Sequence, residues 1–269
     1  MPDVIGFIGA GQMGEPMVTR LLAGGHEVVL YARKDEVRNR LSDQGARLVD
    51  SVAEVAAVGD ILILCLFSDS QIRDIGRGPD GFMANAKPGS VVISHTTGLL
   101  STLTALTEEY PAGPAVIDAP VSGAATDILA GELTVLLAGP ESVRDRVRPV
   151  LKAYADPIID TGEVGSALAL KLINNVLFAA NAQLVASAIE LGEKLGVKEK
   201  YLLEALSVCS GASKAVESLQ LIGGLSGFTD LAGPYIAKDV AACIASAAES
   251  GVDLGQLRSV VETGPMTIT

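Results

Sequence analysis

Three short segments of this 269-residue chain combine residue types and spacings suited to chemistry. The first is Gly9-Ala10-Gly11-Gln12-Met13-Gly14, directly after the apolar run Val4-Ile5-Gly6-Phe7-Ile8. In a strand-to-helix turn, Gly9 permits the tight reversal, Gly11 lets the backbone approach a pyrophosphate, and Gly14 lets helix and strand pack closely. The first amides of the helix then face the phosphates. The second segment is Ser122-Gly123-Ala124, which follows a strand and Pro120. Its hydroxyl and free amides can form a nest for a carboxylate; a plain strand-to-helix turn is the alternative. The third is Lys171 with Asn175, four residues apart and so on one face of a helix otherwise rich in Leu, Ile, Val and Ala. Desolvation moves a lysine toward the pKa range useful for proton transfer, whereas a Lys pointing to water does no such work. Asn174 is rotated by about 100° from that face and reads as a structural hydrogen-bonder.

The choice of nicotinamide cofactor turns on the residues after the second strand, Tyr31-Ala32-Arg33-Lys34. An acidic side chain there would bind the ribose 2′-hydroxyl of NAD. Arg33 and Lys34 instead suit a 2′-phosphate, so NADP is favoured over NAD, although Asp35 and Glu36 follow at once and leave open a pair of ordinary solvated charges.

The elements that position these groups fall into two sets. From residue 3 to about 160, β-branched runs (Val4 to Ile8, Val28 to Tyr31, Ile61 to Leu66, Val91 to Ser94, Val116 to Asp118, Thr134 to Ala138, Ile158 to Asp160) alternate with segments of helical length. That grammar predicts an α/β fold with a doubly wound, mostly parallel Rossmann sheet. Beyond Gly165 the pattern is helical: about 166–195, 198–209, 213–221 and 235–250, with Gly196, Gly211 and Gly251 as terminators. The boundary is expected near residue 163, giving a dinucleotide-binding domain over 1–163 and a smaller helical substrate and dimerisation domain over 164–269. The apolar circumference of the first long helix suggests that a partner subunit covers one side. Its polar Asn174, Asn175, Asn181, Gln183 and Glu190 argue for a buried helix rather than a membrane span.

A net charge of -12, from 20 Lys and Arg against 32 Asp and Glu, excludes a nucleic-acid binder, which needs a basic field. With 49% hydrophobic and 19% charged residues the chain can bury a core. Cys65, Cys209 and Cys243 are far apart and lack metal-ligand spacing, so they read as small apolar fillers in a reducing compartment and no metal is expected. No basic-then-apolar leader opens the sequence, and a cytoplasmic protein is expected.

Four ordered motifs resemble the β-hydroxyacid dehydrogenase family, the group of 3-hydroxyisobutyrate dehydrogenase, tartronate semialdehyde reductase and 6-phosphogluconate dehydrogenase. They are Gly9-x-Gly11-x-Met13-Gly14-x-Pro16-Met17; Asp118-Ala119-Pro120-Val121-Ser122-Gly123 with Ala130-Gly131-Glu132-Leu133; Gly162-x-x-Gly165 followed by Lys171 and Asn175; and Lys238-Asp239. The resemblance implies an oxidoreductase moving hydride between nicotinamide and a small β-hydroxy acid or its semialdehyde. It makes Lys171 the general acid/base and Asn175 the holder of the substrate oxygen. Ser122, Gly123 and Ala124 would bind the substrate, while Leu66, Phe67, Ser68, Thr96, Thr97 and Lys238 would border the cofactor. A homodimer or dimer-based tetramer is implied as well. Relatives usually carry Gly at Ala124 and Asp at Ser94, which puts substrate access and a detail of the nicotinamide site in doubt; His95 falls to an ordinary residue. An imine reductase on the same scaffold is disfavoured by Lys171, because Asp or Tyr is typical there, and a non-catalytic dinucleotide-binding protein is the other alternative. Relatives that bind a phosphorylated sugar acid need extra basic residues in the helical domain and a much longer chain, and neither is evident, so a small unphosphorylated acid is expected. Ser213 to Tyr235, including Phe228, are expected to line the pocket, and the chain is expected to stop short of the relatives' final helix.

Overall fold

Short runs of Ile, Val and Leu with both faces buried are what a parallel sheet demands, since helices cover it on each side. The computed structural model, which describes residues 2–268, has this arrangement in the first of two compact units, Met1–Lys171 and Leu172–Thr269. In chain order the first unit holds β1 (Ile5–Ile8), α1 (Gly14–Ala23), β2 (Val28–Tyr31), α2 (Asp35–Asp43), β3 (Arg47–Leu48) and α3 (Val52–Val58). Next come β4 (Ile61–Leu64), α4 (Asp69–Gly76), α5 (Phe82–Asn85), β5 (Val91–Ser94), α6 (Leu100–Glu109) and β6 (Ala115–Asp118). The unit continues through β7 (Val121–Ser122), α7 (Ala125–Ala130), β8 (Leu133–Ala138), α8 (Glu141–Leu151) and β9 (Ala155–Gly162).

Six strands pair in the order β3-β2-β1-β4-β5-β6, all parallel. Ile5, Phe7, Ile61 and Ile63 bury one face of the sheet, and Ile8, Val29, Leu62 and Leu64 the other. The strand order reverses between β1 and β4. Loops leaving the carboxyl ends of these two strands therefore flank the crevice where open α/β sheets bind ligands.

The runs expected at 134–138 and 158–160 do form strands, but not in this sheet. β8 and β9 pair in parallel, and β7 adds antiparallel to β8, making a second, three-stranded sheet. Pro120 marks the break: it has no N–H to extend a ladder, and its carbonyl accepts from Leu136 N at 3.0 Å.

The long helix α9 (Ser166–Lys194) leads into the second unit, followed by α10 (Glu199–Leu206), α11 (Lys214–Ile222), α12 (Leu225–Glu249) and α13 (Gln256–Thr263). Leu172, Val176, Val185 and Ile189 of α9 pack with Leu203, Val216, Phe228 and Val240. Gln183 is buried and fully used, donating to the carbonyls of Val261 and Met266 (3.0 and 2.8 Å) and accepting from Met266 N at 2.8 Å. α9 is the one helix among the described residues that is long and apolar enough to cross a membrane, and half of its apolar stretch is buried. Leu170, Ile173, Leu177, Leu184 and Leu191 of the same helix stay exposed.

Four expectations need correction here. α12 begins at Leu225, not Tyr235, and continues through Pro234. Gly211, expected to end the second helical segment, has no positive φ, and α10 stops at Leu206 with Ser207 after it. A further helix, absent from the expected set, forms after Gly255 as α13. Cys209 is exposed and so is no core filler.

Candidate active site

The glycine loop Gly9–Met13 joins β1 to α1. Its three glycines have different reasons to be glycine. Gly9 has φ +103°, and a Cβ on it would lie 2.2 Å from the carbonyl oxygen of Cys65. One on Gly14 would meet the oxygen of Gly9 at 2.1 Å. Around Gly11 nothing lies within 4 Å, so its bare Cα faces open space where a ligand can approach. Met13, which precedes the helix, gives it no side-chain cap. Ala10 is half-buried and Gln12 exposed; Gly11 N donates to Gly9 O at 2.8 Å, Glu15 N to Gly11 O at 2.9 Å, and Pro16 has no N–H, which leaves the amides of Gln12 to Gly14 as the donors this turn can offer an anion. A dinucleotide pyrophosphate fits this cradle by its charge and by the space at Gly11.

Arg33 and Lys34, between β2 and α2, are exposed. Among the described residues neither side chain has a hydrogen bond or ion pair, unlike Arg38, which holds Asp50 at 2.6 Å, and Arg40, which holds Glu15 at 2.7 Å. The bond from Arg40 keeps the Glu15 carboxyl below its ordinary range, so the acid in the first turn of α1 is neutralised by a partner.

The loops after β4 and β5 are brought together. Leu66 N donates to Thr96 Oγ1 at 3.1 Å, and Leu99 N donates to Asp69 Oδ2 at 3.0 Å. Ser68 caps α4 by accepting from Gln71 N, Phe67 is exposed, and Thr97 is half-buried. Burial pushes the Cys65 thiol up to about 12, which leaves it protonated and no nucleophile.

His95 lies under the second loop and is buried. Nδ1 is 2.5 Å from Ala119 O and Nε2 is 2.8 Å from Tyr154 Oη. A carbonyl only accepts, so Nδ1 carries the proton and Nε2 accepts from the Tyr154 hydroxyl. Burial lowers the His95 pKa to about 4 and raises that of Tyr154 well above the ordinary value, so both stay neutral and brace the ends of β5 and β6.

Ser122 ends β7, and Gly123 follows with φ +138°. The expected nest is one amide short, because Ala124 N donates to Asp127 Oδ2 at 2.6 Å. Ser122 Oγ and the Gly123 amide remain as the groups that this turn can offer a carboxylate, beside the negative charge of Asp127.

Lys171 is half-buried on α9, in the second turn after Gly165. The helix start is held by Asp118, fully buried, whose Oδ1 accepts from Gly165 N at 2.7 Å and Oδ2 from Leu168 N at 2.8 Å. Each such bond to a charged acceptor contributes about 1.5–3 kcal/mol, enough together to offset much of the cost of burying the carboxylate.

In the second unit Asn175 is buried and donates through Nδ2 to Asp239 Oδ2 at 2.9 Å, while its Oδ1 accepts from Asn174 at 3.1 Å. The second hydrogen on Nδ2 is the donor that it can give a substrate. Asp239 also lies 3.8 Å from Lys238 Nζ. Phe228, expected in a pocket, is 1% exposed and packs against Phe178 in the core.

Sequence reading gave no role to the carboxylates Asp118, Asp127 and Asp239, which hold the start of α9, Ala124 and Asn175. Two of them, Asp118 and Asp239, stood inside the quoted motifs, and their place beside a helix start or a buried Asn depends on tertiary contacts.

Residues 4–175 match the family model for the NAD binding domain of 6-phosphogluconate dehydrogenase, and residues 165–264 that for the NAD-binding region of NADP-dependent 3-hydroxyisobutyrate dehydrogenase. The 2-(hydroxymethyl)glutarate dehydrogenase of Eubacterium barkeri is 33% identical over 80% of this chain and 71% of its own length. The mitochondrial 3-hydroxyisobutyrate dehydrogenase of Mus musculus is 30% identical over 82% of this chain and 66% of its own. A solved structure of Mycobacterium tuberculosis 3-hydroxyisobutyrate dehydrogenase with L-serine superposes with a TM-score of 0.85 at 26% identity, covering 97% of this chain and 92% of that one.

Proposed function

Because this chain belongs to the NAD(P)-dependent β-hydroxyacid dehydrogenase family of 3-hydroxyisobutyrate and 6-phosphogluconate dehydrogenases, we propose that it is an NADP-preferring enzyme interconverting a small β-hydroxy acid and its semialdehyde. The nicotinamide, when bound, supplies or accepts the hydride. The chain supplies the rest. Gly9 to Gly14 cradle the pyrophosphate with backbone amides, and Arg33 with Lys34 answers the 2′-phosphate. Leu66, Phe67, Ser68, Thr96 and Thr97 border the cofactor, and Lys238 offsets its charge.

In the direction of reduction Lys171 gives a proton to the carbonyl oxygen, and in oxidation it takes one from the hydroxyl. Asn175, one helical turn further on, directs its remaining N–H at that same oxygen. Ser122 Oγ and Gly123 N bind the substrate carboxylate, with Ala124 contributing only its methyl face. The observation that carries this reading is the pairing of an open phosphate cradle with a half-buried lysine on an anchored helix. L-serine in the Mycobacterium tuberculosis relative has a carboxylate and a β-hydroxyl, the two groups that this substrate class requires. The exposed leucines of α9 are proposed to be covered by a second copy of the chain, as a dimer or a dimer-based tetramer.

The test is a panel of short semialdehydes incubated with purified protein and NADPH or NADH. Turnover of at least one, faster with NADPH, is expected. NADPH binding without any turnover on the panel contradicts the reading.

A further inference from the structure

Helix α9 starts on a residue that cannot cap it. The Gly165 carbonyl accepts from Ala169 N at 3.0 Å, which makes Gly165 the residue before the first turn. The Ser, Thr, Asp or Asn that ordinarily accepts the amide three residues on is barred there. Gly165 has φ +96°, and a Cβ on it would lie 2.5 Å from Leu100 Cδ2. The missing acceptor comes from 47 residues away, where the two oxygens of buried Asp118 take the amides of Gly165 and Leu168. Asp118 is the last residue of β6, and Ala119-Pro120 lead from it to Ser122. That connection is itself fixed, by Ala119 N to Ser94 O at 2.8 Å and Leu136 N to Pro120 O at 3.0 Å. Lys171 lies three residues beyond Leu168, one turn above the capped amide on the same side of the helix.

We infer that Asp118 is a positioning residue for proton transfer, capping α9 from another strand and so fixing the height and rotation of Lys171 relative to the Ser122 turn. This rests on Lys171 being the proton-transfer group. Asp118 is too deeply buried to serve substrate or cofactor itself, and acts through the helix. Its negative charge sits at the positive end of α9, so the cap is electrostatic as well as geometric. Loss of the cap frees the first-turn amides, and the first turn frays. Misplacement of a proton donor by a fraction of an ångström is costly to rate while leaving cofactor binding on β1 untouched.

The test is Asp118→Asn, which keeps the shape but offers one acceptor and turns an NH2 toward the other amide. Measured on the semialdehyde turned over by the wild type, kcat is expected to fall roughly 10–100-fold with a larger solvent deuterium isotope effect, while NADPH affinity changes less than about twofold. Amide hydrogen exchange at residues 168–171 should accelerate. A mere loss of folded fraction would lower kcat without moving the isotope effect, and that result overturns the inference. So does a variant with unchanged kcat, one with unchanged exchange at 168–171, or one that cannot fold at all, since the carboxylate would then serve the domain core and not the Lys171 turn. If the wild type turns over no semialdehyde, the functional reading fails and this inference falls with it. Faster exchange in the variant would then show that the cap itself is real, which separates the two failures.

Discussion

Helices α1 and α9 both begin at a glycine turn after a strand, and their first turns are treated in opposite ways. At α1 the residue before the helix provides no cap, and Gly11 faces empty space. At α9 the amides of Gly165 and Leu168 are both taken by Asp118. An unsatisfied helix N-terminus attracts an anion, whereas one closed by a carboxylate repels it and becomes a fixed point. On the proposed reading the first is a binding site and the second a mount. The glycine patterns look alike in sequence, and the difference lies in a residue 47 positions upstream of Gly165.

The mount matters because of what it carries. Lys171→Ala should lower kcat by about 10²–10⁴-fold with cofactor affinity unchanged, as steady-state kinetics and fluorescence titration would read. Near wild-type turnover would remove Lys171 from the chemistry and leave α9 as scaffold only. Gly11→Asp probes the open end. The fold has room for the side chain, so melting should change little, yet a carboxylate facing the phosphates should weaken NADPH binding by about 100-fold or more. Equal affinity for the variant and the wild type would mean that the dinucleotide does not use this turn.

The anchored side also has a pH signature. Folded His95 stays neutral down to about 4, while its unfolded counterpart takes a proton near 6.5. Between those values the unfolded chain binds more protons, so the stability due to His95 is fully present above about 6.5 and is lost as pH falls toward 4. Urea denaturation at about pH 7 and pH 5 should record a loss near 2 kcal/mol from this residue, reduced in His95→Gln. An identical pH dependence in the variant would contradict the buried neutral imidazole. The smallest effect is expected at the edge of the open site, where Arg33→Ala should weaken NADPH binding about tenfold and leave NADH within about twofold. A parallel loss for both cofactors would take the 2′-phosphate contact away from Arg33.

The parallel sheet and the tight glycine turn at Gly9–Gly14 are legible because each rests on local rules. Ile, Val and Leu runs bury both faces of a strand, and Gly9 and Gly14 have no room for a Cβ. The second sheet was not legible: β8 and β9 read as further strands of the same kind, and only Pro120 hints at the break. Candidate side chains on single elements, such as Lys171 and Asn175, could be named from helical spacing. Their supports could not, because Asp118 and Asp239 act across 47 to 64 residues of chain. Ala124 makes the same point over a shorter distance. Nothing in the local sequence pattern tells that its amide is held by Asp127.

A crystal of the protein soaked with NADP and a small carboxylate such as L-serine tests the contrast between the two helix starts most directly. The pyrophosphate is expected against the amides of Gln12 to Gly14, the carboxylate at Ser122 Oγ and Gly123 N, and Asp118 still holding Gly165 and Leu168. An anion seated at the first turn of α9, or a dinucleotide bound away from the Gly9–Gly14 loop, would contradict that expectation.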